Sequence, residues 1–314
     1  LGRTRDLCAL PDRLPPKTTA MTRLATQAAA NAAATAAGNK DREAEFDKKW
    51  DAGGFAFWLA NYQDMFFVEE ANELCADYIR RKIRKTVIDQ SIADRLMPKG
   101  HHYGCKRQPL DTNYYETFNK PNVKLVDATM DGAIDEITER GIRAGGKEYE
   151  FDIIVFATGF DAMTGPLKAL NLKGRNGLTL DKVWADGPHS YLGVSVAGFP
   201  NLFTLTGPQS PSVLTNMPVA IEQHVEWVAD CIEHMEKTGK KSIEATSKAQ
   251  EDWVAHVNGV VNMTLMAKAN SWYMSANIPG KPKAFLPYLD PEGVGGYTKR
   301  CAEIAAKGYE GFSL

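Results

Sequence analysis

The residues of this chain whose type and spacing suit chemistry gather at four places. Lys106 and Arg107 stand side by side in the loop 101–111, HHYGCKRQPLD, behind His101 and His102. Adjacent loop cations either meet an anion or are simply solvated, and alone the pair favours solvation. The second place is Ile153-Ile154-Val155-Phe156, closing on Ala157-Thr158-Gly159. Four β-branched or aromatic residues in succession predict a strand buried on both faces. Small residues at its carboxyl end are what backbone needs where it must approach a cofactor. Third, Gly207-Pro208-Gln209-Ser210-Pro211 forbids regular structure and opens a helix near Pro218, a residue favoured in the first helical turn. Fourth is the irregular segment 269–285, ANSWYMSANIPGKPKAF, where Trp272 taken alone is better explained by core packing than by a ligand. His101, His102 and His224 read as ordinary surface or core histidines.

Composition narrows the classes. The chain has 314 residues, enough for one large or two ordinary domains. With 37 basic and 39 acidic residues the net charge is −2, which gives no pull toward nucleic acid or an acidic membrane surface. Five dispersed cysteines without a CxxC argue for a reducing compartment, read as the cytoplasm, and against a zinc site or disulfide frame. No apolar run approaches the roughly 20 residues of a membrane helix. Leu1 is the first residue and Met21 the first methionine, so a piece of something longer is expected.

The elements that must position these residues fall into two textures. Residues 1–20 are basic and proline-punctuated, and 21–38 are Ala-rich, predicting a helix ended near Gly38; an acid-free stretch after Met21 also fits a transit peptide. Phe46, Trp50, Phe55 and Phe57 are aromatic anchors around the Gly53-Gly54 break. Residues 69–88 predict an amphipathic helix with Leu74, Cys75, Tyr78, Ile79 and Ile83 on one face, and Arg80 to Lys85 as a solvated charge run. After residue 100 come a half-buried strand at Val123–Asp127, a β-meander over 133–150 turning at Gly145-Gly146, and short strands at Tyr191–Val196 and Asn201–Thr206. Helices are expected over 218–235, 248–265 and 297–306, the first presenting Ile221, His224, Val225, Val228, Ile232 and Met235 on one face. Strands and helices alternate, an α/β arrangement. No G-x-G-x-x-G is present; Gly293-Val294-Gly295-Gly296 lacks the last glycine and follows no convincing strand.

In order along the chain, GCKRQPLDTNYYETFN (104–119), NVKLVD (122–127), DIIVFATGFDAMTG (152–165), the run 177–228, ANSWYMSANIPGKP (269–282) and AAKGYEGF (305–312) resemble the C-terminal half of the Baeyer–Villiger monooxygenases. The likeness is co-linear over about residues 41–314. It implies a partial flavoprotein of two Rossmann-like dinucleotide-binding domains, for FAD and NADP, lacking both N-terminal βαβ units and carrying a helical block at the N-terminus. The implied divisions are 1–100 as that block, 101–157 as the end of the NADP domain and 158–314 as the end of the FAD domain. The implied activity uses NADPH and dioxygen to insert oxygen beside a ketone carbonyl, through a flavin peroxide, giving an ester or lactone. The isolated piece is expected to be inactive, and a complementary N-terminal half is an expected partner. Nitrogen or sulfur oxidation, or a non-catalytic half-fold serving as an interaction surface, are the alternatives.

By the same resemblance Arg107 matches the catalytic arginine, whose fixed charge would face both the oxygenated flavin and NADP, and Lys106 a neighbouring NADP contact. Trp272 matches a tryptophan bonded to NADP, and Met217 a flavin-contacting methionine at a helix start. Ser212, Val213 and Leu214 match the substrate-pocket loop; Thr158 and Gly159 match the linker between cofactor domains. Gln209 and Ser275 stand where the family usually has glycine, and Cys105 where it usually has threonine. Met266-Ala267 interrupts its usual Leu-Tyr-Pro. Those departures put substrate range and NADP handling in question.

Overall fold

The computed structural model describes residues 33–314, so the expected helix over 21–38 and the irregular 1–20 lie almost wholly outside the described part. The first unit is helical. Helix α1 (Asn39–Ala52) stops at Gly53, whose φ of 67° suits glycine. It is followed by α2 (Ala56–Leu59), α3 (Glu69–Thr86) and α4 (Gln90–Leu96). Glu69 and Glu70 open α3 while Arg84 and Lys85 close it, each charge opposing the nearer end of the helix dipole. The core of this unit is aromatic: Phe46, Phe57, Trp58, Tyr62 and Tyr78 pack with Met65 and Cys75, and Phe57 stacks on Tyr78 at 5.1 Å. The basic run of α3 is ion-paired as well as solvated, with Arg81 on Glu43 and Lys82 on Asp47.

The expected meander forms as drawn. Strands β1 (Ile134–Ile137), β2 (Gly141–Ala144) and β3 (Lys147–Glu150) make an antiparallel sheet, pairing Ile137 with Ile142 and Ile142 with Tyr149. The remainder is a second, larger core built by α5 (Met217–Lys237), β4 (Glu244–Ala245), α6 (Ser247–Asn262), α7 (Gly293–Ala306) and β5 (Phe312–Ser313), with β4 antiparallel to β5. Trp227, Cys231, Trp253, Val257, Tyr273, Tyr288, Tyr297 and Cys301 fill it. Gly293 to Gly296 begin α7 and form no phosphate-type turn.

Three expectations fail for one physical reason. Ile153–Phe156 is not a strand, and apart from half-buried Ile154 its side chains are bare: Ile153 is 80 % exposed, Val155 82 % and Phe160 beyond it 88 %. A doubly buried strand needs neighbours on both edges, and no backbone–backbone hydrogen bond forms from Asp152 to Gly159 among the described residues. Val123–Asp127 likewise finds no partner. On α5 the buried stripe is Ala220, His224, Trp227, Cys231 and Met235, whereas Ile221, Val225 and Ile232 face outward. The helix carries two apolar stripes, and only the one holding Trp227, whose Nε1 donates to Cys301 O at 3.0 Å, has a partner in α7.

The 191–206 region fails as strands for a different reason. Its apolar residues Tyr191, Leu192, Val194 and Val196 are indeed buried, but positive φ at Leu192, Gly193, Asn201 and Thr206 folds the chain back on itself. Tyr191 N donates to Ser195 O at 2.8 Å, a tight turn in place of a ladder.

His224 holds this turn to the helices. Its Nδ1 accepts from Thr206 N–H at 2.9 Å, so Nε2 carries the proton and donates to Tyr297 Oη at 2.8 Å, and Tyr297 passes its own proton to Leu192 O at 2.6 Å. Burial depresses the imidazole to about 4 from its ordinary 6.5. An unfolded histidine takes a proton near 6.5 and the folded one only near 4, so stability is expected to be level above that upper value. It should fall as pH drops through the window, by up to about 3 kcal/mol. Urea melts at pH 7 and pH 4.5 check this; an equal slope in His224→Gln would place the titrating group elsewhere.

Candidate active site

The loop 101–107 lies against the helical unit. Asn72, buried in α3, accepts from Tyr103 N–H at 2.7 Å and donates to Tyr103 O at 2.9 Å and Met65 O at 2.8 Å. Gly104 follows with φ 74°, and a β-carbon there would stand 2.7 Å from both Phe66 and the Trp58 indole nitrogen. Cys105 is wholly buried in the larger core, and burial pushes its thiol up to about 12. A buried, protonated thiol in the threonine's place acts as a small apolar anchor. Two fixed residues thus present the next two outward, and Lys106 and Arg107 are exposed.

The Arg107 guanidinium lies over the Phe55 ring, 5.3 Å from its centroid, and its Nη1 reaches Val213 O at 3.4 Å. Neither Lys106 nor Arg107 forms an ion pair among the described residues, so both charges are available to an anion. Arg107 also bears on Tyr273: burial raises the phenol above its ordinary range and the arginine charge pulls it back. Leu214 packs against both cores. Of the residues expected at one site on resemblance, Arg107 touches Val213, Leu214 follows it in the same turn, and Trp272 lies beside Tyr273, the phenol that feels the Arg107 charge, with the two rings 4.3 Å apart. Lys106 stands beside them in sequence.

Met217 is half-buried at the first position of α5, just past the 212–214 turn. Asn216 caps Val219 N–H at 3.4 Å, Pro218 has no N–H and Ala220 N–H bonds Asn216 O, so in the first turn the Met217 N–H is the donor with no partner among the described residues. Thr158 and Gly159 are exposed, Gly159 with φ 89°, and the segment is tied instead to residues beyond Trp272. Asn277 Nδ2 donates to Phe160 O at 3.4 Å, and Lys281 pairs with Asp161 and bonds Thr164 Oγ1 at 2.8 Å.

The glycine departures have a cost in backbone geometry. Gln209 has φ 68° and Ser275 φ 56°, the region glycine enters freely and other residues rarely. Gln209 is held there by its own side chain: Oε1 accepts from Ser190 N at 3.0 Å and from Ser190 Oγ at 3.1 Å. Trp253 Nε1 adds a bond to its carbonyl at 3.1 Å.

Sequence reasoning missed Asn72, Phe55 and Tyr273 as parts of the site. Asn72 did carry a signal, since it lies three residues before Cys75 on the apolar face of α3. A polar residue there must find partners. Phe55 and Tyr273 were indistinguishable from packing aromatics. Four polar atoms around the loop are buried without a partner: Ser212 Oγ, Ser271 Oγ, Tyr273 Oη and Trp58 Nε1. Such groups cost about 1–3 kcal/mol each when left unmade, and Arg42 Nε and Arg95 Nε are in the same position among the described residues. The cavity of about 570 Å³ between α6 and α7, lined by Trp253, His256 and Arg300, contains none of the expected site residues. Among the described residues there is no cluster that would hold a metal, and no helix is long and apolar enough to cross a membrane.

No protein-family model matches this chain. It is 38 % identical over 277 residues to the acetone monooxygenase (methyl acetate-forming) of Gordonia sp. (strain TY-5), covering 88 % of this chain and 51 % of that one. It is 41 % identical over 272 residues to a Baeyer–Villiger monooxygenase of Pseudooceanicola batsensis, covering 86 % and 49 %. Among solved structures, OTEMO in complex with FAD and NADP superposes with a TM-score of 0.85 at 37 % identity, over 90 % of this chain and 52 % of that one. The chain spans about half the length of the curated relatives it matches. Sequence and backbone agree, and the chain belongs to the Baeyer–Villiger monooxygenase family.

Proposed function

We propose that this chain is the C-terminal half of an enzyme that uses FAD, NADPH and dioxygen to convert a ketone into an ester or lactone. The observation that carries the reading is the unpaired Arg107 guanidinium held between Phe55 and the Val213 carbonyl. It stands amid buried polar atoms that lack partners. These residues fit a bound nicotinamide nucleotide and flavin. Lys106, Arg107 and Trp272 would meet the nicotinamide nucleotide, and Met217 with its own N–H at the start of α5 would meet the flavin. Thr158 and Gly159 would lie between the two cofactor domains, with Ser212, Val213 and Leu214 against the ketone.

When bound, the two cofactors supply hydride and activated oxygen. Arg107 supplies a charge that needs no proton and no reorganisation as negative charge builds beside it. Phe55, Leu214 and the Trp272-Tyr273 pair supply apolar walls that keep water out. The domain divisions at residues 100 and 157, a cytoplasmic location and the lack of both opening βαβ units belong to the same reading. With no glycine-rich turn here, most contacts to the FAD adenosine and pyrophosphate would fall to the absent half.

The test is product analysis of the complete enzyme with NADPH and a panel holding a cyclic ketone, a tertiary amine and a thioether. Lactone is the expected product. N-oxide or sulfoxide alone would replace this reading with heteroatom oxidation.

A further inference from the structure

We infer that Asn72 of the helical unit is the positioning residue for Arg107, so that this unit sets the arginine's place. The reading of Arg107 as the working cation rests on the function proposed above; its placement by Asn72 does not. Asn72 brackets both backbone groups of Tyr103 and simultaneously holds Met65 O, using both amide hydrogens and its oxygen. It is 1 % exposed, so no water can stand in for it. From Tyr103 the chain has little freedom before Arg107. Gly104 is pressed against Trp58 and Phe66 of the same unit, and Cys105 is locked in the larger core. The arginine then lands on Phe55, again from the helical unit.

A second tie acts alongside. Glu69, at the start of α3, pairs with Lys268 at 2.6 Å, just ahead of Ser271 and Trp272, and lies 3.9 Å from His102. That pair is exposed and of small energetic value. The buried Asn72 bonds are therefore the ones expected to set the loop.

Trypsin reads the loop directly, because it cuts after Lys106 and Arg107. In this chain Asn72→Ala is expected to speed cleavage at those two bonds about tenfold or more, as each 1.4 kcal/mol off the opening energy gives tenfold. Tyr78→Phe is the control: it breaks the bond to Asp47 in the same core without touching the loop. It should leave cleavage after Lys106 and Arg107 at the parent rate. Unchanged cleavage in Asn72→Ala, or equal acceleration in Tyr78→Phe, would overturn the inference, the latter by showing that the loop follows the general stability of the unit. In the complete enzyme Asn72→Ala should raise KM for NADPH and lower kcat, while Tyr78→Phe leaves both at the parent values. A complete enzyme inert toward ketones would refute the proposed function and leave the trypsin result standing.

Discussion

Arg107→Lys in the complete enzyme is expected to lower kcat for ketone oxygenation by about 10²–10³-fold, and Arg107→Ala to lower it at least as far. Lysine keeps the charge but loses the planar fork and the face that rests on Phe55. Arg107 is exposed and its one hydrogen bond among the described residues, to Val213 O, is long at 3.4 Å. Neither substitution should therefore move the melting temperature by more than a degree or two, since surface substitutions cost within about 0.5 kcal/mol. The measurement is steady-state kinetics beside a thermal melt. An Arg107→Lys enzyme with parental kcat would remove the arginine from the chemistry.

The second large effect concerns this chain by itself. Purified alone, it is expected to hold substoichiometric FAD, to show no ketone-dependent NADPH oxidation and to self-associate at micromolar concentration. The reason is surface it cannot cover. Ile153, Val155, Phe156 and Phe160 are largely exposed, and Ile221, Val225 and Ile232 along α5 are partly so. Each large apolar side chain gains about 1.5–3 kcal/mol on full burial, so a few of them suffice to drive association. From Asp152 to Gly159 the backbone is an unpaired edge as well. Co-expression with the N-terminal half of the enzyme should abolish the association and bring flavin to one per complex. Light scattering and flavin absorbance decide it; a yellow, monodisperse monomer of this chain alone would end the half-enzyme reading.

What could be read from the sequence was whatever rests on local pattern. The spacing in α3 and α6, the Gly53 stop and the Gly145-Gly146 hairpin all depend on neighbours within a few residues, and all are found. Ile153–Phe156 was read as a strand from its apolar run. Its burial depends on strands elsewhere, and the described residues offer none. The α5 face went astray because two apolar stripes on one helix give no sign of which is covered. At the site, the cation pair and the SWY segment were visible as motifs. That Arg107 rests on Phe55 and its loop on Asn72 was not, since these partners are separated by dozens of residues and joined by tertiary packing.

Gln209 shows how such a motif can drift without losing its shape. The bend at φ 68° normally calls for glycine, yet here a side-chain lock onto Ser190 maintains it. The two solutions are not equivalent to later change. A glycine bend needs no partner, whereas this one leans on the Gln209 side chain reaching the Ser190 N–H, a backbone donor that every residue but proline would keep at 190. The Ser190 hydroxyl has a second acceptor in Pro208 O at 2.8 Å, so the constraint falls on one side only: Gln209→Ala should loosen the bend while Ser190→Ala leaves it standing.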